Sequence, residues 1–478
     1  MALAEQVTLV MGLLTAVVVL LRLIRKWRNG HGGQNRKAHL PPGSIGWPLI
    51  GETWSYYRSL ASSNPSKFVE DRRKRYNSAI FRTHIFGDEL IMSADPYFNK
   101  YAMQNDERIF QSRFPKFLLN LTGKYAFFAL HGELLRKLHG LTVNMMRPER
   151  LRADFMDEIL SLFDSTINQW ADMEDIFLQN EISQMVLNLI AKQLLDLSPS
   201  KETTEIRKLF VEFIRAIVAI PTKIPGTTHA KGLKARKNLI TKIANIIEER
   251  KKHPEVVHRD MLARILKEGY VANTQEIICD CILNLLLAGH ENSSKAMLFS
   301  VKYLSDCPKA LAQLREEHDI ILRNKGDNKK LDWNDYTSMK FTQCVINETL
   351  RLGNFAPGTY KENKEDIKVK DYDIPKGSLI FLSTMAPHLD ENFYSNALKF
   401  DPWRWKLDQD ISNDSLFVLF GAGPRLCSGY HLAKLELSIF LHMFVTRFRW
   451  DVLADDHASY FPFPQLSKGF PIRLHLRR

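Results

Sequence analysis

The sequence predicts a mainly α-helical protein with a small β-rich region, preceded by one membrane-spanning helix. Three observations carry this. Apolar residues recur at three and four through most of residues 131–350, the period of a helix with one buried face. Strand-like runs are confined to residues 80–84, 90–93 and a strand-and-loop stretch from 367 to 382. Residues 7–21 form a nearly unbroken apolar run, extended by Leu23 and Ile24. That is long enough to cross a hydrocarbon core, with Arg22 snorkelling to its edge.

Composition narrows the class. The chain has 478 residues, 45% hydrophobic and 25% charged, which suits one large or two ordinary globular domains. Five cysteines (Cys279, Cys281, Cys307, Cys344 and Cys427) show neither disulfide nor zinc spacing. Four of them read as buried thiols in a reducing compartment. The net charge is +12, with Arg22, Arg25, Lys26, Arg28, Arg36 and Lys37 clustered behind the apolar run. No basic-aromatic array accompanies them, so no nucleic-acid partner is expected.

A cleaved secretory signal would start basic and end in small residues. Here the basic residues follow the apolar run. The positive-inside rule then gives an uncleaved single-pass anchor with a cytosolic body. The chain divides into an anchor (1–28), a linker with a proline-rich hinge (29–52) and a body (53–478). Leu40-Pro41-Pro42-Gly43 and Gly46-Trp47-Pro48-Leu49 stiffen the hinge, because proline fixes φ and breaks helix.

Within the body, helical periodicity runs through residues 156–170, 182–197, 209–220 and 233–247. Pro221 and Pro225-Gly226 interrupt it. The loop they make is either a mobile lid that dips toward the membrane or an ordinary surface turn. Residues 274–303 read as one long helix, roughly 45 Å at 1.5 Å per residue. Its middle, Ala288-Gly289-His290-Glu291-Asn292-Ser293-Ser294, is polar between apolar flanks. Gly289 costs about 1 kcal/mol there relative to alanine, and the patch allows a local widening that admits water or a diatomic ligand. Glu348 and Arg351 share the face of a helix that begins near Phe341 and can pair.

The motif richest in chemistry lies near the end: Phe420-Gly421-Ala422-Gly423-Pro424-Arg425-Leu426-Cys427-Ser428-Gly429, before a helix starting near Tyr430. A cysteine in a glycine-rich loop at a helix N-terminus meets free backbone N–H groups and the positive end of the helix dipole. Both favour the thiolate, which is the form that binds metals. The glycines let backbone pass close to a flat cofactor. Arg425 is placed to neutralise an acidic cofactor edge.

The pattern Phe-x-x-Gly-x-Arg-x-Cys-x-Gly resembles the haem loop of the cytochrome P-450 monooxygenases. The resemblance extends from the proline hinge to Pro471. It implies the fold of that family, haem b, and Cys427 as axial iron ligand, a thiolate that favours O–O cleavage. Phe420, Gly429 and Ala288 then line the haem. Glu348, Arg351 and Arg404 match the family's structural Glu-x-x-Arg and Pro-x-Arg residues. Arg136 and His139 fall on the propionate-binding helix, and Lys361 falls where the family often has arginine, replacing a bidentate fork with a point charge. Ala288, Gly289 and Glu291 fit the oxygen-binding helix. Asn292 stands where the family usually has threonine. An amide donates a hydrogen bond but cannot relay a proton as a hydroxyl does. Either Asn292 holds the oxygen complex while Glu291, Ser293 and water carry protons, or the chemistry is slow, leaks peroxide, or is not plain hydroxylation.

The resemblance also implies electrons from NADPH through a cytochrome P-450 reductase, a monomer on the endoplasmic reticulum membrane, and a lipophilic substrate. Phe110, Phe114, Phe117, Leu118, Phe127, Phe128, Phe355 and the pair Phe461 and Phe463 are candidate apolar walls. Phe341–Asn354, Pro402–Trp405 and Ile224–Thr227 look like plant brassinosteroid and triterpenoid hydroxylases. Steroid or triterpenoid hydroxylation, of sterol C-22 type, is the reaction expected. The alternatives are C–C cleavage or rearrangement on the same haem-thiolate site, a diterpenoid oxidase, or a haem sensor without turnover.

Overall fold

A computed structural model describes residues 39–477, apart from 48–49, 218, 220–221, 223, 268–273, 327–329, 406–415 and 461–462. The anchor, most of the basic cluster's linker, Pro48 and Leu49 of the hinge, Ile220 and Pro221 of the interrupted loop, and Phe461 therefore lie outside the described residues. Among those described, no helix is long and apolar enough to cross a membrane.

The fold is mainly helical with a small β region. Helix Gln275–Asp306 runs through its centre as one unbroken 32-residue element. Pro308 opens the next helix, Pro308–Lys325, because its ring cannot continue the preceding one. Around the central helix pack Leu178–Leu195, Thr228–Lys252, Lys340–Gly353 and Tyr430–Arg447. The last is buried almost all round from Leu435 to Val445, as expected for a helix apolar on every side. Lys201–Ala216 lies against Thr228–Lys252, and its start is fixed by a reciprocal Ser200–Thr203 capping box.

Five strands form the main sheet, in the spatial order Ile80–Ile85, Asp88–Ser93, Leu379–Ser383, Gly358–Asn363 and Phe110–Ser112. Only the pairing of Asp88–Ser93 with Leu379–Ser383 is parallel. Leu379–Ser383 is buried at every position, so its apolar run is that of a central strand. Helix Pro96–Gln104 closes one face. Asp95 caps it by accepting from the Tyr97 and Phe98 N–H groups at 3.0 Å. Between them lies a second, smaller core with Phe98, Phe110, Ile380 and Leu382.

Glu348 and Arg351 are wholly buried and doubly bonded, at 2.9 and 2.8 Å. The same carboxylate accepts from the Asp401 N–H, Arg404 Nε and Trp405 Nε1 at 2.9, 3.0 and 3.0 Å. This knot ties helix Lys340–Gly353 to the segment that leads toward Cys427. Asn354 ends that helix in the left-handed region, at φ 46°, and its amide donates to the Arg351 carbonyl.

Candidate active site

Two elements face each other across a cavity of about 200 Å³. One is the centre of helix Gln275–Asp306, contributing Ala288, Gly289, Asn292 and Ser293. The other is the cysteine loop and the helix after it, contributing Phe420, Cys427, Gly429, Ala433 and Glu436. Met146, Ile190, Leu194, Leu350 and Phe355 complete a largely apolar wall.

The loop is held by its own backbone. Cys427 N–H donates to the Phe420 carbonyl at 2.8 Å and Gly421 N–H to the Val418 carbonyl at 2.9 Å. Gly423 has φ +67°, and a Cβ there would lie 2.6 Å from Gln104 Cα and the Met103 carbonyl oxygen. Only glycine fits that approach. At Gly429 an added Cβ would meet nothing nearer than Cys427 Sγ at 3.8 Å, so the floor beside the sulfur is open. Cys427 is exposed and lines the cavity. Desolvation inside the cavity pushes its thiol up, while the Gly429 backbone N–H works against that. A cation bound against the sulfur would favour the thiolate instead.

On the central helix, Gly289 does not widen the helix as its sequence suggests. The helix is continuous, and a Cβ on Gly289 would lie 2.9 Å from Ile190 Cδ1. The glycine allows close packing of helix Leu178–Leu195. Asn292 is exposed to the cavity and donates from Nδ2 back to the Ala288 carbonyl at 3.2 Å. Ser293 Oγ donates to Glu436 Oε2 at 3.0 Å. Glu291 is buried but points elsewhere, to His290 Nδ1 at 2.9 Å, and does not line the cavity. Burial raises its carboxyl, and the hydrogen bond and charge of His290 outweigh this, leaving it below the ordinary range.

The expected cofactor cations are placed differently from the sequence reading. Lys361 and Arg425 both sit on Asp106. Lys361 Nζ lies 2.6 Å from Asp106 Oδ1 and 3.0 Å from Ser112 Oγ. Arg425 pairs with Asp106 and Glu107 and donates to the Phe127 and Leu130 carbonyls. His139 Nε2 donates to the Leu426 carbonyl at 2.7 Å, bracing the cysteine loop. Arg136 is exposed. None of these four lines the cavity. Of the candidate aromatic walls with described side chains, Phe355 reaches it, whereas Phe110 belongs to the smaller core and Phe114 packs on Phe128 at 4.5 Å.

Three buried polar residues of the cavity, Thr142, Gln193 and Glu436, escaped the sequence reading. Glu436 is wholly buried, and burial pushes its carboxyl up to about 8, with Ser293 pulling the other way. Gln193 is 2% exposed. No local sequence signal set them apart, because other polar residues share their helices.

One cavity-lining thiol, set in a Phe-x-x-Gly-x-Arg-x-Cys-x-Gly loop opposite a long helix, is the geometry the sequence resemblance implies. The cytochrome P-450 family model matches residues 41–469. The chain belongs to the cytochrome P-450 family. It is 59% identical to an abietadienol/abietadienal oxidase of Pinus taeda, over 99% of this chain and 100% of that protein. It is 38% identical to a steroid (22S)-hydroxylase of Oryza sativa subsp. indica, over 94% and 90% of the two chains. The fold matches that of a cyanobacterial family member bound to retinoic acid, with TM-score 0.82 and 23% identity over 92% of this chain and 100% of the other.

The protein is a haem b monooxygenase of this family, with a lipophilic substrate and electrons from NADPH through a reductase. The donor set fits haem at its centre: among the described residues Cys427 is the only thiol lining the cavity, and Gly429 leaves the space beside it clear. At the rim, a cofactor carboxylate would have to share Lys361 and Arg425 with Asp106.

Proposed function

We propose that this cytochrome P-450 oxidises a diterpenoid, an alcohol or aldehyde of resin-acid type, with Cys427 as axial thiolate. The observation that carries this reading is end-to-end identity of 59% with the pine abietadienol/abietadienal oxidase, against 38% with steroid (22S)-hydroxylase. It displaces steroid side-chain hydroxylation as the first choice and takes up the diterpenoid alternative.

The cavity supports it chemically. Met146, Ile190, Leu194, Leu350 and Phe355 offer a rigid apolar skeleton a dry surface. Bound haem would supply dioxygen activation with reductase-derived electrons. Cys427 Sγ would hold the iron, and Phe420 and Gly429 would flank the sulfur. Ala288 and Gly289 would form the opposite wall, with Asn292 fixing the position of small polar groups there. We further infer a monomer on the endoplasmic reticulum membrane, anchored by residues 1–28 through the hinge at 29–52, with the body 53–478 in the cytosol. The basic residues behind the apolar run support that orientation.

A haem absorbance-shift screen of diterpenoids and sterols, followed by turnover with reductase and NADPH, tests the assignment. Diterpenoid alcohols should shift the band and be consumed. Turnover of sterols with no response to diterpenoids would overturn it.

A further inference from the structure

Helix Leu178–Leu195 ends at Asp196, which sits in the left-handed region at φ 54°. Two residues from the segment after helix Thr228–Lys252 meet it there. His258 Nδ1 lies 2.9 Å from Asp196 Oδ2 and 4.0 Å from Asp260 Oδ2. The three atoms lie within 4.8 Å of one another. Each carboxylate is divided in its use. The other oxygen of Asp196 takes the Lys192 ammonium. The other oxygen of Asp260 accepts from Arg250 Nη1 at 2.8 Å and from the Ala263 N–H at 2.9 Å. Arg250 also donates to the Leu195 carbonyl at 2.7 Å, which ties the two helix ends together. Protein groups alone leave this cluster one partner short. Nδ1 carries at most one hydrogen, and Asp196 is the acceptor within its reach. Asp260, whose side chain is 2% exposed, keeps a buried Oδ2 with no hydrogen-bond partner among the described residues. An unpaired buried oxygen of this kind is costly. Glu158 lies near enough for Lys192, Asp196 and Asp260 all to act on its charge, and its Oε1 is likewise buried and unpartnered.

We propose that His258, Asp196 and Asp260 hold one divalent cation of the zinc class, as a clasp between the end of helix Leu178–Leu195 and the loop that leads into helix Met261–Lys267. A cation satisfies Nδ1 and both free oxygens at once, which a proton cannot. Zinc takes nitrogen and carboxylate ligands at about 2.0–2.2 Å in tetrahedral array, which sets ligand atoms roughly 3.4 Å apart. The separations of 2.9 and 4.0 Å bracket that value. The imidazole nitrogen favours such a metal over calcium or magnesium, which take oxygen. Lys192 and Arg250 hold the outer oxygens, and partners of that kind orient ligating carboxylates. Their two charges also offset the two acids, so the site selects by its geometry rather than by net charge. His258 lines a groove at the protein surface, which gives the cation a way in and leaves its fourth position to water. The role is structural: the helix it closes carries Ile190 and Leu194 of the cavity wall. Nothing in this depends on the substrate class.

Equilibrium dialysis of the full-length, haem-loaded enzyme against Zn2+, purified without a histidine tag, tests the site. Arg150, Arg259 and Arg264 line the same groove, so the salt is set at about 0.15 M, where charges beyond about 8 Å are largely screened. The wild type should bind one zinc ion at this site. His258→Ala and Asp196→Asn should each weaken it by about 100-fold or more, the upper end of what losing an outer partner costs. Asparagine keeps the left-handed helix end, so with haem content unchanged a lost site is not a lost fold. X-ray absorption at the zinc edge, separate from that of iron, should show nitrogen and oxygen neighbours at about 2.0–2.2 Å. At a hundredfold excess over Kd, zinc should raise the wild-type melt by about 3 °C and leave that of His258→Ala unmoved. No stoichiometric zinc in the wild type, equal affinity in wild type and His258→Ala, or a sulfur neighbour near ~2.3 Å overturns the proposal.

Discussion

Replacing Glu348 by alanine should destabilise the body without touching the cavity. The Glu348 carboxylate accepts five hydrogen bonds, two from Arg351 and one each from the Asp401 N–H, Arg404 Nε and Trp405 Nε1. Arg351 is as fully buried as Glu348. Removing one partner of a buried ion pair strands the other charge, at about 3–5 kcal/mol. The stranded Asp401 N–H and Trp405 Nε1–H add about 1 kcal/mol each. A total of about 5–7 kcal/mol is a large share of a margin of about 5–15 kcal/mol. At about 2.1 cal/mol/K per residue over roughly 430 residues, it lowers Tm by about 5–8 °C. Arg404→Ala removes one of the five bonds and leaves the central pair intact, so its loss should be about a third as large. Far-ultraviolet circular dichroism melts of the haem-loaded proteins read both. A Glu348→Ala melt within a degree of wild type, at equal haem content, would refute the knot as a source of stability.

Gly423→Ala should sharply lower haem occupancy, read as the ratio of haem to protein absorbance, because its Cβ would strike the Met103–Gln104 backbone at φ +67°. Gly421→Ala has φ +76° but only a 3.5 Å contact, so it should lose only the conformational cost of about 1–2 kcal/mol; equal effects would contradict the packing argument. Glu436 holds a proton in the folded state, with its carboxyl raised from 4.5 to about 8. The folded protein therefore binds more protons than the unfolded chain between those pH values, and stability falls as pH rises through that window, by at most ~5 kcal/mol at 1.36 per unit. Glu436→Gln should flatten that slope, matching wild type near pH 4 and melting higher near pH 8; an unchanged slope would count against the burial of a neutral acid. Asn292→Thr restores a hydroxyl facing the cavity and should change peroxide released per NADPH; identical coupling would remove residue 292 from the mechanism.

Much of this was legible in the chain, for reasons that differ by element. The periodicity of 156–170 coincides with helix Met156–Trp170, because that helix has one plainly buried face. The long helix and the cysteine loop were read separately, and the fold brings both to one cavity. Strand Gly358–Asn363 is expected only from the resemblance that places Lys361 on a strand, not from composition: Gly, Lys, Glu and Asn are poor strand formers, and it exists by pairing with apolar Leu379–Ser383. The cation assignments missed Asp106, 255 residues from Lys361, since no local pattern announces which acid captures a buried lysine. Gln193 and Glu436 went unseen for a related reason. Each lies among several polar residues of its helix, and only the fold shows that it is buried and faces the cavity.

Cys427 Sγ is the proposed ligand of the haem iron. The most direct measurement is the carbon monoxide difference spectrum of the reduced, haem-loaded protein, wild type against Cys427→Ala. The wild type should give the red-shifted band of a thiolate-ligated haem, and Cys427→Ala should lose it. The same band in both, or no haem uptake by a correctly folded wild type, would contradict the assignment.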